Sequence, residues 1–535
     1  MKLYSRVVLV LPVLLLVLLS SRPAVAQPIP KYWIFLDGKQ NASTIEVSEH
    51  ATRRRLLRGA RVDPMSDAGI SPSYSRILAE KGIEVVVESR WLNAVSAYLT
   101  DDMLSEVNEL SFVTEVRRVA RLVRSNVVFE PTYDAHPLLD YGLSRRQLED
   151  INAIEPLENG FNGTGVVLGF LDTPFHDFAH EVFESHHEEG RIIADSNFVG
   201  NPDDPSTHGF NVASIAAGFK EGQLIGPGHG ASILAATTEF TPTETNEEED
   251  FFVAGMEWLE VMGADVVNVS LGYTTFDSGQ RDYTASDLDG DTGLTTRAAD
   301  LAASLGVVVV AAAGNESVLR GLPCTAHDSP TGCWYHISTP ADGDSVIAVG
   351  AVNPDSSRAS FSGRGPTADE RIKPDVAAPG VSVRYATASG LYSSGNGTSF
   401  AAPLVAGVVA QILQANPLLN PIEVRDILRQ TASQADNPDN SLGWGIINAA
   451  AAVNTAIALS VEGPPEESAP SVQVYPNPAT DELFIFINAD RPGPARIDVY
   501  DVLGRQVLST VDRSIGSRTF RLQVGSLHAG VFFYT

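Results

Sequence analysis

Three residue types that together cleave acyl bonds stand at the ends of apolar runs. The run 166–171 ends in Asp172, His208 opens His208-Gly209-Phe210, and Ser399 sits in Gly397-Thr398-Ser399-Phe400-Ala401-Ala402-Pro403. A serine hydroxyl is a weak nucleophile until a base takes its proton. His208 is suited to be that base, with Asp172 orienting the imidazole and stabilising its charged form without accepting the proton. The run 307–314 leads into Asn315. Its amide and the Ser399 N–H would hold the oxyanion, where losing one side-chain donor costs about 3–4 kcal/mol. Ser270-Leu271-Gly272 would offer backbone hydrogen bonds to an extended peptide. Singly, an Asp after a strand or a Ser opening a helix reads as a cap; the set points to nucleophilic acyl transfer.

Rigid elements must hold these groups. Apolar runs at 166–171, 232–237, 266–271, 307–313 and 346–352 read as parallel strands covered on both faces. Periodicity predicts helices at 211–219, 251–261, 297–305, 399–414, 422–430 and 446–459. In such an α/β sheet, ligands collect beyond the carboxyl ends of the strands, where Asp172, Ser270 and Asn315 fall. Pro403 is expected in the first turn of the helix that Ser399 opens, where a missing N–H matters little.

The segments 166–172, 208–213, 270–272, 314–315 and 397–403 together resemble the subtilisin-like serine peptidases (subtilases), over about residues 140–455. Gly397 to Pro403 matches that family's nucleophile motif throughout, Ala313-Gly314-Asn315 its oxyanion segment, and Ser270-Leu271-Gly272 its substrate-binding strand. The resemblance implies a subtilisin-like parallel sheet with helices on both faces. It also implies peptide-bond hydrolysis through an acyl-enzyme, with no required cofactor. Two positions depart. The family's Asp-Ser/Thr-Gly is Asp172-Thr173-Pro174 here, and its His-Gly-Thr is His208-Gly209-Phe210. Pro174 restricts the backbone and Phe210 removes a small polar neighbour of His208, so both bear on rate and substrate fit.

Rival sites are weaker. His176, His180, His186 and His187 cluster with Asp177, Glu181, Glu188 and Glu189, but without a zincin pattern, and read as a solvated polar loop. Asp287, Asp289 and Asp291 are candidate calcium ligands, although the order is not that of an EF-hand and a plain turn competes. Glu247-Glu248-Glu249-Asp250 reads as a charged turn before a helix at Phe251.

Export frames the rest. Lys2 and Arg6, an apolar run over 7–19 interrupted by Pro12, and Ala24-Val25-Ala26 read as a signal peptide removed after Ala26. About 13 apolar residues span about 20 Å, short of the roughly 30 Å of a hydrocarbon core. No later segment is expected to be long and apolar enough to cross a membrane. Outside the cytosol, Cys324 and Cys333 are expected to form a local disulfide. Residues 27–125 carry alternating strands at 83–88 and 93–99 and a helix at 102–110, a small α+β module with basic, accessible sites at Arg53-Arg54-Arg55 and Arg117-Arg118. They resemble subtilase propeptides, notably at 31–39 and 89–94, which template folding and block the site until cleaved. Cleavage is expected between about Arg121 and Pro131.

A Pro- and Glu-rich linker, 461–470, precedes predicted strands at 483–488, 495–500 and 520–524, a small β-sandwich-like domain over 471–535. Val474-Tyr475-Pro476-Asn477-Pro478, 499–505 and 527–534 resemble the sorting domain of type IX secretion cargo. That family continues with a further strand and basic residues, so the resemblance implies a tail cut short at Thr535 or an impaired signal. The predicted domains are thus a signal peptide (1–26), propeptide (27–125), peptidase (126–460), linker and sorting tail. Expected partners are polypeptide substrates, the chain's own propeptide and the type IX machinery. The product would be secreted or surface-bound after crossing the periplasm.

The 535 residues hold 66 Asp+Glu against 37 Lys+Arg, which excludes a nucleic-acid binder. Residues 27–125 carry 14 Lys+Arg against 13 Asp+Glu, and those from 126 onward 20 against 53, so the excess belongs to the mature protein. A solvated exported surface accounts for it, and adaptation to saline water is the sharper reading. The sequence therefore predicts a secreted subtilisin-like endopeptidase made as a zymogen. A narrow-specificity surface processing protease and an impaired pseudoprotease or surface-binding protein are the alternatives.

Overall fold

A computed structural model describes residues 29–60, 67–119, 121–122, 139–200, 204–242, 244–274, 276, 282–316, 318–319, 322–323, 337–461 and, in the tail, 471–475, 482–488, 495–500, 506–512, 518–524 and 533–534. The signal segment, the Cys324–Cys333 pairing and residues 462–470 of the linker lie outside them. Two compact units result, Met1–Ala456 and Ile457–Thr535.

The N-terminal module contains β1 (Lys31–Leu36), α1 (Glu49–Leu57), α2 (Pro72–Glu80), β2 (Val85–Ser89), β3 (Ala94–Tyr98), α3 (Asp101–Asn108), β4 (Val113–Arg118) and the short β5 (Arg121–Leu122). Its antiparallel sheet has the order β2-β3-β1-β4. Alternation along a strand sends successive side chains to opposite faces. Ile34 and Leu36 therefore join Leu78 and Val107 in the module's own core, while Trp33 and Phe35 pack into the core of the following domain.

That domain is a seven-stranded parallel sheet. Its strands are β6 (Val167–Asp172), β7 (Ile192–Asn197), β8 (Ser232–Thr237), β10 (Val266–Val269), β11 (Val308–Ala312), β12 (Ile347–Val352) and β13 (Val376–Pro379), in the order β13-β12-β11-β10-β6-β8-β7. The central strands are buried throughout, as their β-branched apolar content requires. β7 and β13 are edge strands that the sequence pattern did not mark: β7 alternates in burial, and β13 is short and ends in proline. A two-residue strand, β9 (Glu244–Thr245), pairs antiparallel with β5.

The main helices are α4 (His208–Ala217), α5 (Asn246–Met262), α6 (Leu294–Ser304), α7 (Thr398–Ala415), α8 (Pro421–Thr431) and α9 (Ala449–Val461). α7 is apolar all round and lies against β10, β11, β12 and β13. It has the length and hydropathy of a membrane span, contrary to the expectation above, but is 89% buried inside the domain. Three helices start three or more residues earlier than predicted, among them α6 at Leu294. α4 begins at His208 itself, and α5 takes Glu247 to Asp250 into its first turn behind a Thr245–Glu248 capping box. Those acids are no solvated turn: Glu248, Glu249 and Asp250 are buried. Arg54 and Arg55 are likewise 2% and 4% exposed rather than accessible, because they meet acids of α5.

The tail, described alone, forms two three-stranded antiparallel sheets. One orders β14 (Ser471–Tyr475), β15 (Glu482–Asn488) and β18 (Arg518–Gln523); the other orders β17 (Gln506–Asp512), β16 (Ala495–Tyr500) and β19 (Phe533–Tyr534).

Candidate active site

Asp172 ends β6 and is fully buried. Its Oδ1 lies 2.7 Å from His208 Nδ1 and also accepts the Thr173 N–H at 2.7 Å. A carboxylate only accepts, so Nδ1 carries the proton and Nε2 is the basic nitrogen. Gly209 brings helix and strand together: a Cβ there would fall 2.3 Å from the Thr173 carbonyl oxygen. That approach lets the Gly209 N–H donate to Thr173 Oγ1 at 2.9 Å. Thr173 thus ties the start of α4 to the end of β6, a role the sequence reading did not assign.

The two departures from the family pattern meet away from these groups. Phe210 is fully buried, its ring 5.5 Å from Phe183 and 6.0 Å from His180. Phe183 meets Phe178 at 5.0 Å, and Phe178 stacks on Phe175 at 5.6 Å. Pro174 feeds that cluster through a turn in which His176, Asp177 and Phe178 all have φ between 51° and 54°. Phe210 is therefore a core side chain of the Phe183 cluster.

Ser399 is the second residue of α7 and 6% exposed. Its Oγ donates to the Ser270 carbonyl at 3.0 Å, while Ser270 Oγ donates back to the Ser399 carbonyl at 2.8 Å. The second bond has a covalent cause. Pro403 is the sixth helical residue, not a first-turn one, and has no N–H to offer the Ser399 carbonyl. Asn268 Nδ2 donates to Ser270 Oγ at 2.9 Å, fixing that hydroxyl. The Phe400 ring lies 5.9 Å from the His208 ring, 26° from parallel, and sets the imidazole beside the start of α7. Ser399 Oγ is bonded to Ser270 and not to His208 Nε2, as is common before substrate binds.

Asn315 follows Gly314, whose φ of 96° turns the chain out of the sheet. Asn315 Oδ1 accepts the Thr398 N–H at 2.9 Å and the Thr398 hydroxyl at 3.0 Å. Those bonds fix the amide's orientation and leave Nδ2 a donor with no acceptor among the described residues. Thr398 was not singled out from the sequence, although its place before Ser399 was the available signal. The Ser399 N–H, in the first helical turn, also has no intrahelical acceptor. Leu271 and Gly272 make no backbone hydrogen bond among the described residues. A Cβ at Gly272 would fall 2.3 Å from Ser338 Oγ, so glycine keeps this edge flat against its neighbour.

The rival sites are not assembled. Asp287 Oδ2 caps its own turn through the Thr284 N–H and hydroxyl, and Asp289 accepts the Asp291 and Thr292 N–H groups. Among the described residues, no group of three or more His, Cys, Asp or Glu converges as a metal site would. The histidines serve structure: His180 Nδ1 accepts the Val182 N–H, and His186 is buried, which pushes its imidazole down to about 3.

Similarities to known proteins follow the same lines. The subtilase family model matches residues 163–445, a Bacteroidota peptidase S8 propeptide domain matches 31–130, and a secretion system C-terminal sorting domain matches 473–535. Subtilisin E of Bacillus subtilis is 29% identical over 427 residues, 78% of this chain and 95% of its own. Subtilisin DY of Bacillus licheniformis is 32% identical over 316 residues, 58% and 97%. A solved protease structure from Pseudoalteromonas arctica aligns at 25% identity and a TM-score of 0.46, over 60% of this chain and 100% of its own. The sorting tail marks the product for type IX secretion to the cell surface or medium. With more than half its residues matched by that model, and a propeptide domain before them, the chain belongs to the subtilase family and is a serine endopeptidase.

Proposed function

We propose that Ser399 attacks the scissile carbonyl of polypeptide substrates, with His208 as base and Asp172 as its orienting partner. The observation that carries this reading is the 2.7 Å Asp172–His208 bond beside the first turn of α7, which carries Ser399. Nε2 takes the Ser399 proton as the tetrahedral intermediate forms and returns it to the leaving amine. Asn315 Nδ2 and the Ser399 N–H stabilise the oxyanion, and Thr398 positions the amide. Substrate lies extended along Leu271-Gly272, using backbone groups that have no other partner among the described residues. Every group in this scheme belongs to the chain. Calcium bound elsewhere would act on stability.

We further propose synthesis as a zymogen, with a signal peptide over 1–26, a propeptide over 27–125, a peptidase over 126–460 and a sorting tail from 471. Support comes from the β5–β9 pairing, in which Arg121 and Leu122 lie along peptidase residues Thr245 and Glu244. A propeptide end held along the peptidase in this way supports cleavage between about Arg121 and Pro131. Mass spectrometry of the purified chain and its Ser399→Ala variant tests the reading. Only the parent should lose the propeptide, between about Arg121 and Pro131. Loss at the same bond in both would refute self-processing.

A further inference from the structure

The helix α1 has no place in the propeptide's own core. None of its residues belongs to the cluster built on Ile34, Leu78 and Val107, nor to the core shared with the peptidase. Its buried side chains are Ala51, Arg54 and Arg55, and Arg58 follows at its end. The arginines reach across the domain boundary. Arg54 donates to the carbonyls of Ala264 (2.7 Å), Glu260 (3.3 Å) and Leu305 (3.4 Å) and pairs with the Glu260 carboxylate. Arg58 donates to the Gly306 carbonyl at 2.6 Å and to Asp265 Oδ1 at 2.9 Å. Arg55 joins Glu260 to Asp67 of the propeptide.

These acceptors share one location. Glu260 and Ala264 flank the C-terminus of α5, where unpaired carbonyls and the helix dipole favour cations. Asp265 and Gly306 precede β10 and β11. They stand at the amino edge of the sheet, opposite the carboxyl edge that bears Asp172, Ser270 and Asn315. Arg54 and Arg58 are four residues apart, one turn of helix, so both guanidinium groups project from the same face.

We infer that the peptidase domain carries a double guanidinium socket at the amino edge of its sheet, which takes a helix with arginines four residues apart. In this chain the partner is α1. The socket holds the propeptide on the enzyme independently of the β5–β9 pairing, so retention and blocking are separable functions. Release of the inhibitor is then limited by undocking α1, after the propeptide has been cut.

This inference rests on the zymogen reading, and its test has an arm that does not. In the intact Ser399→Ala chain, hydrogen exchange is compared with and without Arg54→Ala/Arg58→Ala. Amides of 49–58 and of the turns at 263–266 and 305–307 should exchange at least about tenfold faster, while β3 and the middle of α5 keep their protection. Arg54→Lys/Arg58→Lys, with charge but no fork, should be intermediate. In the active chain, the Ala pair should leave the rate of bond cleavage and the kcat of the matured enzyme unchanged. The cut propeptide should dissociate, and activity appear, at least about tenfold sooner. Unchanged exchange at α1 would overturn the socket. Cleavage and release changing together would overturn their separation. An active chain that never cuts itself would refute the zymogen reading, and the exchange arm would still report on α1.

Discussion

At the carboxyl edge of the sheet, hydrogen-bonding capacity is left open. Among the described residues Asp172 Oδ2 has no partner, Ser399 Oγ rests on a backbone carbonyl, and Asn315 offers a free amide. At the amino edge the acceptors are filled. Glu260 is fully buried yet meets Arg54, Arg55 and Arg90, and Asp265 meets Arg58 and His50. Burial alone would raise the Asp265 carboxyl, but Arg58 and His50 bring it down to about 2. One sheet thus leaves polar groups positioned but unspent at the edge proposed to carry the chemistry, and matches them at the edge that meets the propeptide module. The difference fits the tasks: a transition state must find donors waiting, whereas a docked inhibitor must leave no buried charge alone.

The largest break in the comparison is at the open edge. Ser399→Ala or His208→Ala should each cost about a millionfold in kcat, the loss a subtilisin suffers without its nucleophile or base. Asn315→Ala should cost about 100–1,000-fold in kcat with little change in KM, as a transition-state donor requires. Thr398→Val should lower kcat by about tenfold through the loosened amide, and Thr398→Ser should restore it. An additive Asn315→Ala/Thr398→Val pair would show that Thr398 acts elsewhere.

α5 repeats the contrast along its own length. Its C-terminal acids are compensated, but at its N-terminus a cavity of about 400 Å³ lies beside Trp33, Arg117, Glu249, Asp250 and Tyr283. Burial, with the Asp250 charge adding and the Tyr283 hydroxyl opposing, pushes Glu249 up to about 8. Burial likewise pushes Asp250 up to about 6 against the pull of Lys31. Raised carboxyls stabilise the docked chain fully below their ordinary range and lose that contribution as pH rises through 6 to 8. The depressed Asp265 contributes above about pH 4 and loses its contribution as pH falls towards 2. Thermal melts of the Ser399→Ala chain should therefore weaken between pH 5 and 9, by on the order of 2 kcal/mol. Glu249→Gln should flatten that limb, and equal slopes in both would refute the cause. The smallest effect concerns the acid excess of residues 126–535. If it suits saline water, stability and activity should rise modestly from low salt to about 1 M, where screening acts within about 3 Å. A maximum near zero salt would reject that reading.

The central strands were legible because β-branched apolar runs buried on both faces admit little else; Asp172 stood out by ending one of those runs, and His208 and Ser399 by standing at the starts of helices. What was illegible depended on partners far along the chain. Nothing local makes Glu248 to Asp250 a buried stretch of helix, since Lys31, the ion-pair partner of Asp250, lies in the first strand of the chain. Arg54 and Arg55 read as exposed for the same reason, their acceptor Glu260 being 205 or 206 residues away. The core place of Phe210 was missed because the departure beside His208 was read only for rate and substrate fit. In an α-helix the second residue on points away from the first, here into the Phe183 cluster. Pro403 was recognised as tolerable but not as the reason Ser399 exchanges two hydrogen bonds with Ser270.

The account turns on Ser399 as an activated nucleophile, and fluorophosphonate labelling of the secreted, propeptide-free protein tests that most directly. The probe should attach to Ser399 stoichiometrically, and the Ser399→Ala and His208→Ala variants should remain unlabelled. Absence of Ser399-dependent label after propeptide removal would contradict it.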